Sequence, residues 1–188
     1  MKIILGSNSP RRKELLETMG FQFSVTKIDC DEIFPDNLPT EQVAEYLSKL
    51  KANAYKEIKN DEILITADTV VAIENEILGK PKNKHQATEM LKKLSGKTHE
   101  VYTAFTIKTK TTIISKTSVA HVTVLQLSPS EIDFYLENYQ PYDKAGSYGV
   151  QEWFGMTKIA TINGSYYTIM GLPTHEIYPI LKDFLQKI

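Results

Sequence analysis

The chain has 188 residues, 41% hydrophobic and 24% charged, enough for one sizeable domain or one domain with two lobes. A formal net charge of −1 excludes a dedicated nucleic-acid binder, which carries a basic surplus, but leaves room for a small basic pocket. The single cysteine, Cys30, excludes an intramolecular disulfide; with no signal-peptide pattern and no membrane-length apolar run, a cytoplasmic protein without nucleic-acid or membrane partners is expected.

The apolar run Ile3 to Leu5 reads as a strand that ends in Gly6-Ser7-Asn8-Ser9. Ser9 is a natural N-cap and Pro10 suits the first helical position, so a helix follows, with Leu15, Leu16 and Met19 on one face. Ser7, Ser9, Arg11 and Arg12 therefore cluster where a strand becomes a helix. Free N–H groups, hydroxyls and two guanidinium groups at one place suit phosphate oxygens. The plainer alternative is a strand–turn–helix with two solvated arginines.

A second strand is expected from Phe23 to Ile28, then an acidic loop, Asp29 to Asp36. Thr40 is expected to cap a long helix with Val43, Leu47, Leu50 and Ala54 on one face. Ile63 to Ala67 reads as a strand, and Val70–Ile73 with Ile77-Leu78 as a hairpin turning at Glu74-Asn75-Glu76. Ala87, Met90, Leu91 and Leu94 mark a helix that stops at Gly96. Val101–Lys108 and Thr112–Leu125 are two long β-rich runs. Ser128-Pro129-Ser130-Glu131 is a capping box opening a helix to about Asn138, with a polar, aromatic loop from Tyr139 to about Thr157 after it. Asn163-Gly164 predicts a hairpin between strands Lys158–Ile162 and Ser165–Met170. The last helix carries Ile177, Leu181 and Leu185, and Pro179 predicts a distorted first turn or a later start. This mixture of βα units and long hairpins favours an α/β fold with a mixed sheet, in a single domain spanning 1–188.

Three segments carry candidate chemistry. In Thr66-Ala67-Asp68-Thr69-Val70-Val71 a carboxylate interrupts an apolar run; it reaches a cleft, a metal or a partner, or else caps local backbone. Asp31 and Glu32 taken alone read as a solvated acidic loop; beside Asp68 they would complete the oxygens of a Mg²⁺-type site that keeps waters and leans on substrate phosphates. Lys51, on the long helix, and Lys80, in Gly79-Lys80-Pro81, are candidate cations. In Asp143-Lys144-Ala145-Gly146-Ser147-Tyr148-Gly149-Val150-Gln151, the glycines permit close backbone approach and Gln151 has the paired donor and acceptor to read a heterocycle edge. An ordinary glycine-rich loop is the alternative. The four histidines are scattered, and no zinc site, nucleophile elbow or P-loop is present.

Taken together, S-N-S-P-R-R-K-E-L-L, A-D-T-V-V, G-K-P, M-L-K-K-L-S-G-K-T-H-E-V-Y-T, D-K-A-G-S-Y-G-V-Q and M-G-L-P make the chain resemble the Maf family of nucleotide pyrophosphatases over nearly its whole length. The resemblance implies a two-lobed α/β fold with a mixed sheet and central cleft, similar to inosine triphosphate pyrophosphatase. It implies cleavage of a nucleoside triphosphate to monophosphate and pyrophosphate with a divalent cation, Mg²⁺ or Mn²⁺. Carried over by position, Ser7, Arg11 and Arg12 would bind phosphate and Asp68 would be the base that activates water. Glu32 with Asp68 would hold the metal, and Lys51 and Lys80 would neutralise the triphosphate. Arg11, Thr69 and Gln151 would set substrate choice, and threonine after the aspartate resembles the subgroup acting on dTTP and UTP. A nucleotide-binding regulator of cell division is the alternative reading of the same resemblance, and ten tyrosines leave a homodimer open. The chain departs from the family at Glu152-Trp153-Phe154-Gly155, where many relatives have small residues. The aromatic pair either narrows the base pocket, stacks on the base or packs internally.

Overall fold

The computed structural model describes residues 1–186. Seven strands form one mixed sheet in the order β2-β1-β3-β5-β6-β7, with β4 paired to β3 alone. The strands are β1 (Lys2–Leu5), β2 (Phe23–Val25), β3 (Glu62–Ile73), β4 (Glu76–Leu78), β5 (Thr98–Lys108), β6 (Ile113–Val124) and β7 (Ile159–Asn163). β1 lies parallel to both β2 and β3, whereas β4 on β3 and β7 on β6 are antiparallel. The chain divides into two compact units, residues 1–68, 103–118 and 171–188 in the first and 69–102 with 119–170 in the second, so β3, β5 and β6 each contribute to both.

β3 carries the site. Its residues from Glu62 to Asp68 are all buried, as expected for a strand with neighbours on both sides. Asp68 sits inside this one continuous strand and does not end it, contrary to the two shorter runs expected. The first unit also holds α1 (Pro10–Thr18), α2 (Thr40–Ala54) and α7 (Thr174–Gln186). Ser9 caps α1, its side chain accepting from Arg12 N at 3.5 Å, with Pro10 in the first turn. α2 buries Val43, Ala44, Leu47, Ser48 and Ala52. Ile4, Ala52, Ile58 and Leu64 form an apolar cluster there.

In the second unit α3 (Lys84–Leu94) is capped by Asn83, and α4 (Pro129–Tyr139) opens on the complete Ser128–Glu131 capping box. α3 ends as expected, with Gly96 at φ +71° just past the cap residue. The core of this unit is mainly aliphatic, but Tyr135, Tyr148 and Phe154 are buried in it and Trp153 packs against it.

Five expectations need correction. Thr40 is the first residue of α2; Pro39 takes the cap position and no side chain caps it. The second strand stops at Val25, three residues short of Ile28. The polar loop Tyr139–Thr157 holds a 3-10 turn, Ala145–Ser147, and α5 (Trp153–Lys158), because its aromatic residues have a core to enter. Ser165–Met170 is no strand: the Ser165 side chain accepts from Tyr167 N at 3.3 Å and opens the short α6 (Tyr166–Met170). Pro179 lies inside α7, which starts at Thr174 regardless. Among the described residues no helix is long and apolar enough to cross a membrane.

Candidate active site

The first unit assembles a charged cluster from four segments. β1 ends at Leu5, and Gly6 N donates to Ile65 O at 2.8 Å, which holds the start of the Gly6–Ser9 turn against β3. Ser7 Oγ accepts from Ser9 N at 3.3 Å and from Arg12 Nη1 at 3.2 Å. Arg12 Nε donates to Gly171 O at 2.8 Å, so the guanidinium is held from two sides. Gly171 is left-handed, φ +97°, and supplies the carbonyl from the M-G-L-P segment. Burial lowers the Arg12 pKa and Asp68 opposes that shift, which puts the two charges within electrostatic reach.

Lys51 is the hub. Its ammonium donates to Asp68 Oδ2 and lies 3.0 Å from Glu32 Oε1. The Lys51 and Asp68 side chains are each only 12% exposed, whereas Glu32 is 53% exposed. Two carboxylates thus converge on one cation, and Arg12 adds a second positive charge nearby.

A buried hydroxyl chain fixes this geometry from below. Thr66, two residues before Asp68 on the same strand face, donates to Ser48 O at 2.7 Å. Ser48, nearly one helical turn before Lys51, donates to Glu45 O at 2.9 Å. Each hydroxyl has one proton, so Thr106 must donate to Ser48 and Ser115 to Thr106, both at 2.9 Å. The chain ties α2 to β3, β5 and β6 and thereby sets Lys51 against Asp68. Sequence reasoning missed it; the i−2 spacing of Thr66 and the i−3 spacing of Ser48 were the available signal.

The metal expectation can be tested on the donor set. Glu32 Oε1 and Asp68 Oδ2 already converge on a cationic point, and hard carboxylate oxygens suit Mg²⁺ or Mn²⁺. No group of three or more His, Cys, Asp or Glu side chains comes together among the described residues. Two carboxylates fit a cation that completes its shell with waters and phosphate oxygens, and do not fit an all-protein cage.

The remaining predicted residues lie in or beside these elements. Arg11 is half-buried on α1 next to Arg12. Thr69, half-buried, follows Asp68 on β3 and falls in the second unit. There Gly146 N donates to Gly79 O at 3.2 Å, which brings the exposed Lys80 segment beside the start of the glycine-rich loop. Gly146 has φ +69°, and a Cβ would meet Val71 Cγ1 at 2.9 Å, so only glycine fits this crossing. Gln151 is exposed, within a turn closed by Glu152 N donating to Gly149 O at 3.2 Å. The aromatic pair after it packs internally: Phe154 is fully buried and Trp153 stacks on Tyr135 with ring centres 6.1 Å apart.

The sequence profile of Maf-like protein matches residues 2–184. A dTTP/UTP pyrophosphatase from Flavobacterium johnsoniae is 45% identical over 185 residues, covering 98% of this chain and 95% of that protein. One of the same name from Porphyromonas gingivalis is 48% identical over 187 residues, covering 97% and 94%. The solved Staphylococcus aureus Ham1 protein aligns with TM-score 0.45 and 14% identity, over 66% of this chain and 72% of its own. With a family match along almost its full length and relatives near half identical, this chain belongs to the Maf family.

Proposed function

We propose that this protein is a nucleoside triphosphate pyrophosphatase that hydrolyses dTTP and UTP to the monophosphate and pyrophosphate. The observation that carries the reading is the Glu32–Lys51–Asp68 cluster beside Arg12, in a chain whose near-full-length relatives are dTTP/UTP pyrophosphatases. Two arginines at the start of α1 and Lys51 on α2 answer the charge of a triphosphate, with Lys80 as a further cation. Arg11, Thr69 and Gln151 are the residues assigned to substrate choice, and the single cysteine accords with a cytoplasmic protein.

In this mechanism Lys51 fixes the Asp68 carboxylate by occupying Oδ2. Asp68 takes a proton from water as the water oxygen bonds to the α-phosphorus and the bond from that phosphorus to the α–β bridging oxygen breaks. Pyrophosphate leaves with that bond's electrons. Arg12, held by Ser7 and Gly171, keeps one orientation towards the phosphate oxygens, which gain charge in the transition state. Glu32 and Asp68 would hold the divalent cation, which supplies charge neutralisation at the phosphates when bound.

The test is pyrophosphate release from dTTP, UTP, CTP, GTP, 7-methyl-GTP and ITP, with Mg²⁺ or Mn²⁺ and with chelator. Release from dTTP and UTP that the chelator abolishes is expected. Preference for 7-methyl-GTP or ITP would overturn the substrate reading, and no release from any of them would overturn the reaction.

A further inference from the structure

The turn that presents Gln151 is held by a network that the hydrolytic cluster does not use. Tyr135 on α4 reaches both ends of that turn. Its hydroxyl accepts from Gly149 N at 2.9 Å and donates to Glu152 Oε2. Burial, and then Glu152, raise the Tyr135 pKa, so the phenol keeps the proton it donates. Glu152 Oε1 is also paired at 3.0 Å with Lys144, whose side chain is 11% exposed. Lys144 in turn bonds Asp143 Oδ1 at 2.8 Å.

Glu152 occupies the cap position of α5, where a short polar side chain ordinarily accepts from the helix. Here it makes no such bond and points at Tyr135 and Lys144. The helix gives up a cap, and the turn gains an anchor. Gly149 makes room for that anchor, since a Cβ there would lie 2.7 Å from Glu152 Cδ. On the other side Gly155 packs against Val150 O, where a Cβ would fall at 1.7 Å. Between these contacts Val150 is buried and Gln151 alone faces outward.

We propose that Glu152, through Tyr135 and Lys144, is a positioning residue for recognition of the nucleotide base, holding the Gly149–Glu152 turn so that Gln151 meets the base in one orientation. The proposal rests on the hydrolytic reading for Gln151's role. It assigns a function to the position where this chain leaves the small-residue pattern. A turn ordered before binding does not spend affinity on its own immobilisation, so the loss of the anchor appears as weaker binding.

The sole tryptophan, Trp153, adjoins Glu152 and stacks on Tyr135, which makes it a local reporter. Glu152→Ala deletes the anchor, and Gly149→Ala displaces the same carboxylate while leaving it in the chain. Both are expected to raise KM for UTP about tenfold, the scale of one charge-assisted hydrogen bond, while kcat changes less than about threefold. Glu152→Gln keeps an acceptor for the Tyr135 hydroxyl and is expected to restore most of the affinity. Titration of Trp153 emission with UTP in chelator should show the same order of affinities without turnover. Wild-type KM and wild-type emission titrations in both alanine variants would overturn the proposal, as would a fall in kcat at constant KM. A wild-type protein that releases no pyrophosphate from UTP would defeat the hydrolytic reading instead, and the emission titration would still decide the role of Glu152.

Discussion

Asp68→Asn separates chemistry from architecture at the centre of the site. The amide is nearly the size of the carboxylate and still offers an oxygen to Lys51, so the contact at Oδ2 survives in shape while the base is lost. A positioned general base contributes about 10²–10⁴ in rate, or about 2.7–5.5 kcal/mol of barrier. The stability cost is smaller. Lys51 is largely buried, but it keeps Glu32 at 3.0 Å, and that carboxylate is half exposed. The ammonium is therefore not orphaned, and the loss should be about 1–2 kcal/mol, below the 3–5 kcal/mol typical of breaking a buried pair (about). For a chain of this length that lowers Tm by about 2–8 °C. Pyrophosphate release at saturating UTP, with Tm followed by circular dichroism, reads both. A variant that melts lower but turns over within about threefold of wild type would refute Asp68 as the base.

Thr66→Val keeps shape and removes the hydroxyl that holds α2 to β3; a loss of about 1 kcal/mol in urea unfolding and about tenfold in kcat is expected, and unchanged kcat would show that this bond does not place Lys51. Burial pushes the His99 imidazole down to about 4 from its ordinary 6.5. The unfolded state then binds a proton that the folded state refuses, so stability is full above pH 6.5 and falls as pH drops towards 4, by about 2 kcal/mol between pH 7 and 5. Urea midpoints at the two pH values should show this slope, and His99→Gln should flatten it. Gly155→Ala drives a Cβ into Val150 O and should prevent stable folding, whereas Gly79→Ala, with nothing within 4 Å of its Cβ, should leave Tm unchanged; thermal melts of the pair check the contrast.

Local chemistry made the ends of many elements legible. Ser9-Pro10, Ser128-Pro129-Ser130-Glu131 and Gly96 carry their caps in their own side chains or backbone freedom, and each stands where the sequence places it. The Ser165–Met170 segment failed for a physical reason. Its Asn-Gly turn signal describes a hairpin, but a strand needs a partner edge, and Ser165 offered the chain a helix cap instead. The loop before α5 was similarly opaque, because Tyr148 and Phe154 become structural only once Tyr135 and His99 are there to pack on them.

The sequence by itself determined the α/β class, the run of charged and hydroxyl residues at the start of α1, the lone carboxylate in an apolar strand and the glycine-rich loop, since each depends on residue type and short spacing. Only the tertiary structure decided that Lys51 bridges Glu32 and Asp68, that Gly171 orients Arg12 from 159 positions away, and that Tyr135 pins both ends of the Gln151 turn. Those contacts join residues distant along the chain, and nothing in local propensity favours one such partner over another until packing has excluded water and fixed the register of α2 on β3.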